Sequence, residues 1–244
     1  MNNIKTRNKL FTLLLLVIAL LIPQWGWAQT ASKPQKGDGK TDNPFIITKA
    51  EELAWFRDYV NGTIVDEDEA AGTTHPSVSA MLTANIDLKG YCYKADKTQS
   101  LNELSWVPIG NINNAYKGTF DGNGKTITNL YINASQVNMG LFGYTYGGTI
   151  KNLTFEYANV TNTNNYAGVL VGKASGGSTL QNIKISNTCQ IKGGQYTGGI
   201  AGYLDGNAYN CVNYATVQGI QYIGGLCGYK MIRNFNIPLF QHWK

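Results

Sequence analysis

Between residues 119 and 229, large apolar side chains come one at a time, spaced by a single polar residue or by glycine, and the arrangement recurs. One recurring stretch is TITNLYI (126–132), TIKNLTF (149–155), TLQNIKI (179–185) and, in degenerate form, NAYNCVN (207–213). A second is MGLFGY (139–144), GVLVGK (168–173), GGIAGY (198–203) and GGLCGY (224–229). The Asn members Asn129, Asn152, Asn182 and Asn210 recur at intervals of 23, 30 and 28, and the closing glycines Gly143, Gly172, Gly202 and Gly228 at 29, 30 and 26. Two markers holding nearly one period in one phase define a repeat array. Alternation of Ile150, Leu153, Phe155 and Tyr157, and of Ile183 and Ile185, predicts strands with one face inward. A short second strand follows in ANVT, CQIKG and ATVQG, and then the glycine-rich element, with Leu141, Leu170, Ile200 and Leu226 turned inward. Turn signals GG, GNG, SGG and DGN separate the strands. Three strands and three turns in one period make a coil of a parallel β-solenoid, which buries its apolar face only against stacked neighbours.

The N-terminal part is not repetitive. NPFIITKAEELAWFRDYVNG (43–62) predicts a strand and then a helix, with Thr48 and Glu51 as a capping box, Leu53, Phe56, Tyr59 and Val60 as the apolar stripe, and Asn61-Gly62 as the stop. The acidic stretch 63–77 reads as a surface loop, AMLTANIDLKG as the first strand, and 106–133 as the entry coil. The expected fold class is therefore all-β: a parallel β-helix of stacked Gly-rich coils with a small N-terminal strand–helix cap. Its expected divisions are 1–28 leader, 29–41 linker, 42–78 cap and acidic loop, 79–229 solenoid, and 230–244 a tail without repeats, either a native end or a truncation.

The first residues change the reading of charge. Lys5, Arg7 and Lys9 precede the apolar run Leu10–Ile22, which breaks at Pro23 and ends in GWA. This is the pattern of a secretory signal peptide cleaved after Ala28, too short for a permanent span. No Cys follows to take a lipid. The expected product is exported, secreted or held at the cell surface or outer membrane, with no membrane span after cleavage. The 244-residue chain has formal charge +5, of which the leader supplies three, leaving +2. No electrostatic case for nucleic acid remains. Export invites disulfides among Cys92, Cys189, Cys211 and Cys227. Cys211 and Cys227, however, stand where neighbouring repeats are apolar, which favours buried thiols there.

The ordered series NPFIITKAEELAWF, LTANIDLKG, WVPIG, GTFDGNGKTITNLYI, GLFGY and TIKNLTF resembles GLUG-motif proteins, exported adhesin-like β-solenoids of gut Bacteroidota. The motif also occurs beside the peptidase domains of some immunoglobulin A peptidases. The resemblance spans roughly residues 40 to 229. It implies a surface-exposed adhesion or interaction module. After Gly228 the sequence departs from the pattern, without glycine or a further repeat.

Candidate chemistry is sparse. Glycoside hydrolases and polysaccharide lyases on β-solenoids need paired carboxylates or another acid/base pair on one face. Between residues 122 and 244 the acids are Glu156 and Asp205, in different coils, and the histidines are His75 and His242. The expectation is that the chain is not an enzyme and takes no cofactor and no metal. GNGKT (122–126) and GDGKT (37–41) lack the first glycine of a phosphate loop. The acids 66–69 and Asp121 with Asn123 lack a calcium-loop spacing. Candidate contact residues are aromatic. Tyr166, Tyr196 and Tyr222 lie six residues before a closing glycine, and Tyr144, Tyr203 and Tyr229 follow one, with Lys173 interrupting that set. Such columns dock glycans or surface proteins, or they stack on themselves, and the pattern leaves their orientation open. The Asn column reads as a structural hydrogen-bond ladder, with a polar binding strip as the alternative. The functional expectation is an adhesin-like solenoid binding host or microbial glycans or proteins. The alternatives are a carbohydrate-active β-helix enzyme and a purely structural repeat fragment.

Overall fold

The computed structural model describes residues 31–91 and 105–231; the proposed leader, Cys92, His242 and all but the first two residues of the 230–244 tail lie outside them. The strand β1 (Phe45–Ile47) is followed by the helix α1 (Ala50–Asn61), β2 (Ala80–Leu82), β3 (Ile86–Asp87), β4 (Thr119–Thr128), β5 (Tyr131–Ala134) and β6 (Phe142–Tyr146). Then come β7 (Thr149–Glu156), β8 (Asn159–Asn162), β9 (Val171–Ile185), β10 (Gln190–Lys192), β11 (Gln195–Gly198) and β12 (Ala201–Tyr209). The series closes with β13 (Val212–Asn213), β14 (Thr216–Gln218), β15 (Gln221–Gly224) and β16 (Cys227–Lys230).

Neighbouring strands along the stack run parallel. One sheet runs β1-β2-β4-β7-β9-β12-β16, with β3, β6 and β13 alongside; a second runs β5-β8-β10-β14; β11 and β15 form a third. The second sheet receives one strand from each turn, so the chain winds a parallel β-solenoid of four turns. Side chains of equal register stack from turn to turn: Phe120, Ile150 and Leu180 in one inward column, Ile127, Phe155 and Ile185 in another, Ile132, Val160 and Ile191 in a third, all buried. Each turn thus supplies single apolar residues, and only stacking makes a continuous core of them.

Helix α1 lies at the start of the stack. Leu53, Phe56 and Val60 are buried, and the Phe56 ring meets Tyr116 at 6.1 Å and Phe120 at 5.9 Å, extending the aromatic core out of the first turn. Its N-terminus differs from the expected capping box. Lys49 holds the N-cap position, and Thr48 donates its backbone N–H (2.7 Å) and hydroxyl (2.9 Å) to Glu52, not Glu51. The helix starts one residue later than a Thr48 cap requires, which brings Glu52 rather than Glu51 back over the entry. Gly62 ends the helix in the left-handed region, φ 75°.

Two expected inward residues face out. Tyr157 has φ 54°, and this left-handed corner breaks the alternation that Leu153 and Phe155 follow, so its side chain is exposed. Leu226 is 43% exposed, whereas its counterparts Leu141, Leu170 and Ile200 are 1% exposed or less. It belongs to the last described rung, on which no further described turn is stacked.

Candidate functional site

Three columns of left-handed residues mark the corners of the coil. The first holds Asn152 (φ 57°), Asn182 (54°) and Asn210 (50°). Asn tolerates this conformation better than any other residue with a side chain, because its amide bonds locally. Here each amide also bonds along the stack: Asn210 Nδ2 donates to Asn182 Oδ1 (3.2 Å), Asn182 Nδ2 to Asn152 Oδ1 (2.7 Å), and Asn152 Nδ2 to Asp121 Oδ1 (2.9 Å). The chain of amide dipoles ends on a carboxylate. Burial acts to raise the Asp121 pKa, but the Asn152 amide, the Asn123 N–H and the Lys151 ammonium together outweigh it and hold the carboxyl below its ordinary value.

Asn129 does not belong to this column. Thr128 pairs with Glu156, so Asn129 stands opposite Tyr157, and its Nδ2 donates to Asp87 at 2.7 Å. The register jumps between Asp121 and Lys125, where Gly122, Asn123 and Gly124 stand opposite Asn152 alone. The left-handed counterpart in the first turn is therefore Asn123, φ 49°. The interval from Asn123 to Asn152 is 29, in line with 30 and 28; the interval of 23 from Asn129 was the signal of a wrong alignment.

The tyrosines form two adjoining columns. Tyr166 and Tyr196 stack at 4.9 Å, Tyr196 and Tyr222 at 4.8 Å, and Tyr203 and Tyr229 at 5.4 Å. The columns meet edge to face, Tyr166 with Tyr203 at 5.9 Å and Tyr196 with Tyr229 at 6.0 Å. Tyr144, Lys173 and Tyr203 share one register, and the Lys173 ammonium lies 5.4 to 5.5 Å from the rings of Tyr144, Tyr166 and Tyr203. The residue that interrupts the pattern in sequence is thus a cationic rung held by three π faces. Tyr166 (φ 66°), Tyr196 (57°) and Tyr222 (52°) are all left-handed, as is Asn138 (62°), which precedes Met139 as Tyr166 precedes its bridge partner Ala167. A bulky residue with positive φ is uncommon, and three in register indicate a conformation imposed by the surroundings.

The closing glycines make these corners possible by close approach. A Cβ on Gly172 would stand 2.3 Å from Asn138 C, one on Gly202 2.6 Å from Tyr196 O, and one on Gly228 2.5 Å from Tyr196 C. Because the rings stack closer than the roughly 7 Å a third ring needs between them, a sugar has no room on the interior faces. The ring edges remain, and Tyr222 and Tyr229 at the end of the described stack are 47% and 40% exposed. Burial first, and then the neighbouring phenols, keep the Tyr196 pKa above its ordinary value.

Comparison with known proteins adds the following. No family model matches the chain. It is 34% identical over 177 residues to halomucin of Haloquadratum walsbyi, a match covering 68% of this chain and 2% of that protein. It is 28% identical over 153 residues to a "Putative Gly-rich membrane protein" of Evansella cellulosilytica, covering 61% of this chain and 15% of that one. The chain thus spans a small part of the curated relatives it matches. Its fold is similar to the crystal structure of "a putative immunoglobulin A1 protease" from Bacteroides ovatus, with TM-score 0.51 and 20% identity, covering 82% of this chain and 66% of that one. This finding corrects the expectation that the chain is not an enzyme, since a chain of the same fold carries a protease name. The missing carboxylate pair spoke only against glycosidase and lyase chemistry, and peptide hydrolysis needs no such pair.

Other polar groups are placed as follows. His75 Nε2 lies 2.9 Å from Glu69, and the imidazole stacks on Tyr59 at 3.7 Å, an arrangement the sequence reading of a plain loop missed. Lys33 and Asp66 pair at 2.6 Å, and among the described residues no three acidic, His or Cys side chains converge as metal ligands. Glu156 and Asp205 lie on β7 and near the middle of β12. Cys189, Cys211 and Cys227 are free thiols, each with its pKa raised by burial, Cys227 to about 12. They are poor nucleophiles at neutral pH. No described helix is long and apolar enough to cross a membrane.

Proposed function

We propose that the chain is an exported, surface-exposed solenoid of the GLUG-motif type that acts as an adhesin-like module, binding a glycan or surface protein of a host or microbial cell. The observation that carries this reading is the double tyrosine column, which stacks phenol rings at intervals of about one turn and leaves Tyr222 and Tyr229 exposed. Tyrosine is suited to such contacts because it gives a rigid amphipathic edge at little entropic cost. The relative named as a membrane protein supports a surface location.

The test is a glycan array and a panel of immobilised extracellular proteins probed with the secreted chain and with its Tyr166→Ala, Tyr196→Ala, Tyr222→Ala variant. Binding lost in the variant is the expected result; binding retained in it removes the tyrosine column from the account. Immunoglobulin A1 belongs on the panel, with its cleavage followed by gel, because the fold neighbour bears that name.

A further inference from the structure

We propose that Lys173 is an anion-binding residue set within the tyrosine columns, and that the ligand it selects is an acidic glycan, a sugar chain bearing a carboxylate or a sulfate ester. This rests on the reading of those columns as the contact surface. Tyr144, Lys173, Tyr203 and Tyr229 share one register on successive turns, so a single cation stands in a file of phenols. Its ammonium lies 5.4 Å from the Tyr144 and Tyr203 rings and 5.5 Å from the Tyr166 ring of the adjoining column.

What this cage lacks is a hydrogen-bond acceptor. An ammonium carries three N–H donors, and a ring face attracts its charge without offering a lone pair. Among the described residues no carboxylate pairs with Lys173 and no oxygen accepts from it. By contrast, Lys151 pairs with Asp121 at 3.2 Å, and Lys230 bonds to the Gly206 and Met231 carbonyls. Lys173 is half-buried, yet its nitrogen is not among the unpaired polar atoms that are closed to solvent. A cation that is held in place, reached by solvent and without an acceptor is one half of an ion pair that a ligand completes. The three rings restrict the lysine stem before any ligand arrives, so less entropy is lost on binding. Residues 105–231 carry seven lysines against three acids, and the field of this part of the chain also favours an anion. A sugar fits the surroundings better than an acidic peptide does. Phenols pack through their rings and hydrogen-bond through their hydroxyls, the two kinds of contact that a sugar ring offers. A run of peptide carboxylates needs a row of cations, and the other rungs of this column hold tyrosine.

The test is an array on which each core glycan is present in neutral, sialylated, glucuronidated and sulfated form, with a hexaglutamate peptide on the same surface. The sialylated and glucuronidated arms read the carboxylate, and the sulfated arm reads the sulfate ester. The secreted chain is expected to bind acidic forms at least tenfold more tightly than their neutral counterparts. Lys173→Tyr and Lys173→Met should lose that ratio, and Lys173→Arg should keep it. Lys173→Tyr continues the file of rings, so its melting temperature should not fall below that of the parent. A parent that binds acidic and neutral forms equally overturns the proposal and leaves the columns as a surface for neutral sugars. A ratio that survives both Lys173→Tyr and Lys173→Met overturns the location, and hexaglutamate bound as tightly as the acidic sugars overturns the ligand class. A ratio lost in Lys173→Tyr but kept in the Tyr166→Ala, Tyr196→Ala, Tyr222→Ala variant upholds Lys173 and overturns the reading of the columns.

Discussion

The Asn ladder and the tyrosine columns are both built on left-handed residues, but the backbone cost differs between them. Asn182 adopts φ 54° cheaply and makes two amide bonds along the stack. Asn182→Gly keeps the backbone comfortable and loses the bonds, so we expect a destabilisation of about 1–2 kcal/mol at this exposed site. Asn182→Ala adds a left-handed Cβ penalty of about 1–2 kcal/mol. Urea unfolding of the two variants should therefore rank Ala below Gly; equal stability contradicts the conformational part. Tyr196 has no such ease at φ 57°, and its two stacking partners hold it there. Tyr196→Phe should leave the urea midpoint nearly unchanged, and Tyr196→Ala should lower it, since ring contacts contribute about 0.5–1.5 kcal/mol each. These corners were illegible in the sequence. Alternation stops at a left-handed residue, and nothing in the letters Tyr166, Tyr196 and Tyr222 signals positive φ. Stacking between turns was legible because their spacing matches the glycine period.

At the scale of the strand, the inward residues of β7 and β9 were readable because a buried face imposes period two: Ile150, Leu153, Phe155, Ile183 and Ile185 are all buried. The first turn was misaligned because β4 carries two extra residues, and the motif around Asn129 resembles that around Asn152 more closely than Asp121–Gly124 does. The two glycine roles are separable by substitution. Gly172→Ala puts a Cβ against the Asn138 backbone, where nothing flexible can yield, and we expect loss of folding or a midpoint shift of several kcal/mol. Gly124→Ala meets open space and bears only a left-handed strain of about 1–2 kcal/mol. Comparing soluble yield and urea midpoints of the two variants checks this; similar behaviour contradicts the close-approach account.

For the described chain as a whole, alkaline stability is set by buried phenols. Burial keeps the Tyr116 pKa well above the ordinary value, and burial, then the Asp66 and Glu69 charges, push Tyr59 to about 12. Unfolded tyrosines release their protons near pH 10, so above that pH the folded state binds more protons than the unfolded one. The contribution of these groups is complete below about pH 10 and is lost as pH rises through the folded values. Melting temperature is expected to be level across pH 8–9 and to fall above about pH 10, as thermal circular dichroism can record. The most direct measurement of the central claim is calorimetric titration of a ligand found by the binding screen into the parent and into Tyr166→Phe, Tyr196→Phe, Tyr222→Phe. That variant keeps every ring in its stack and removes three phenol hydroxyls. The account predicts at least tenfold weaker binding at unchanged melting temperature. Equal affinity in the two proteins would contradict it.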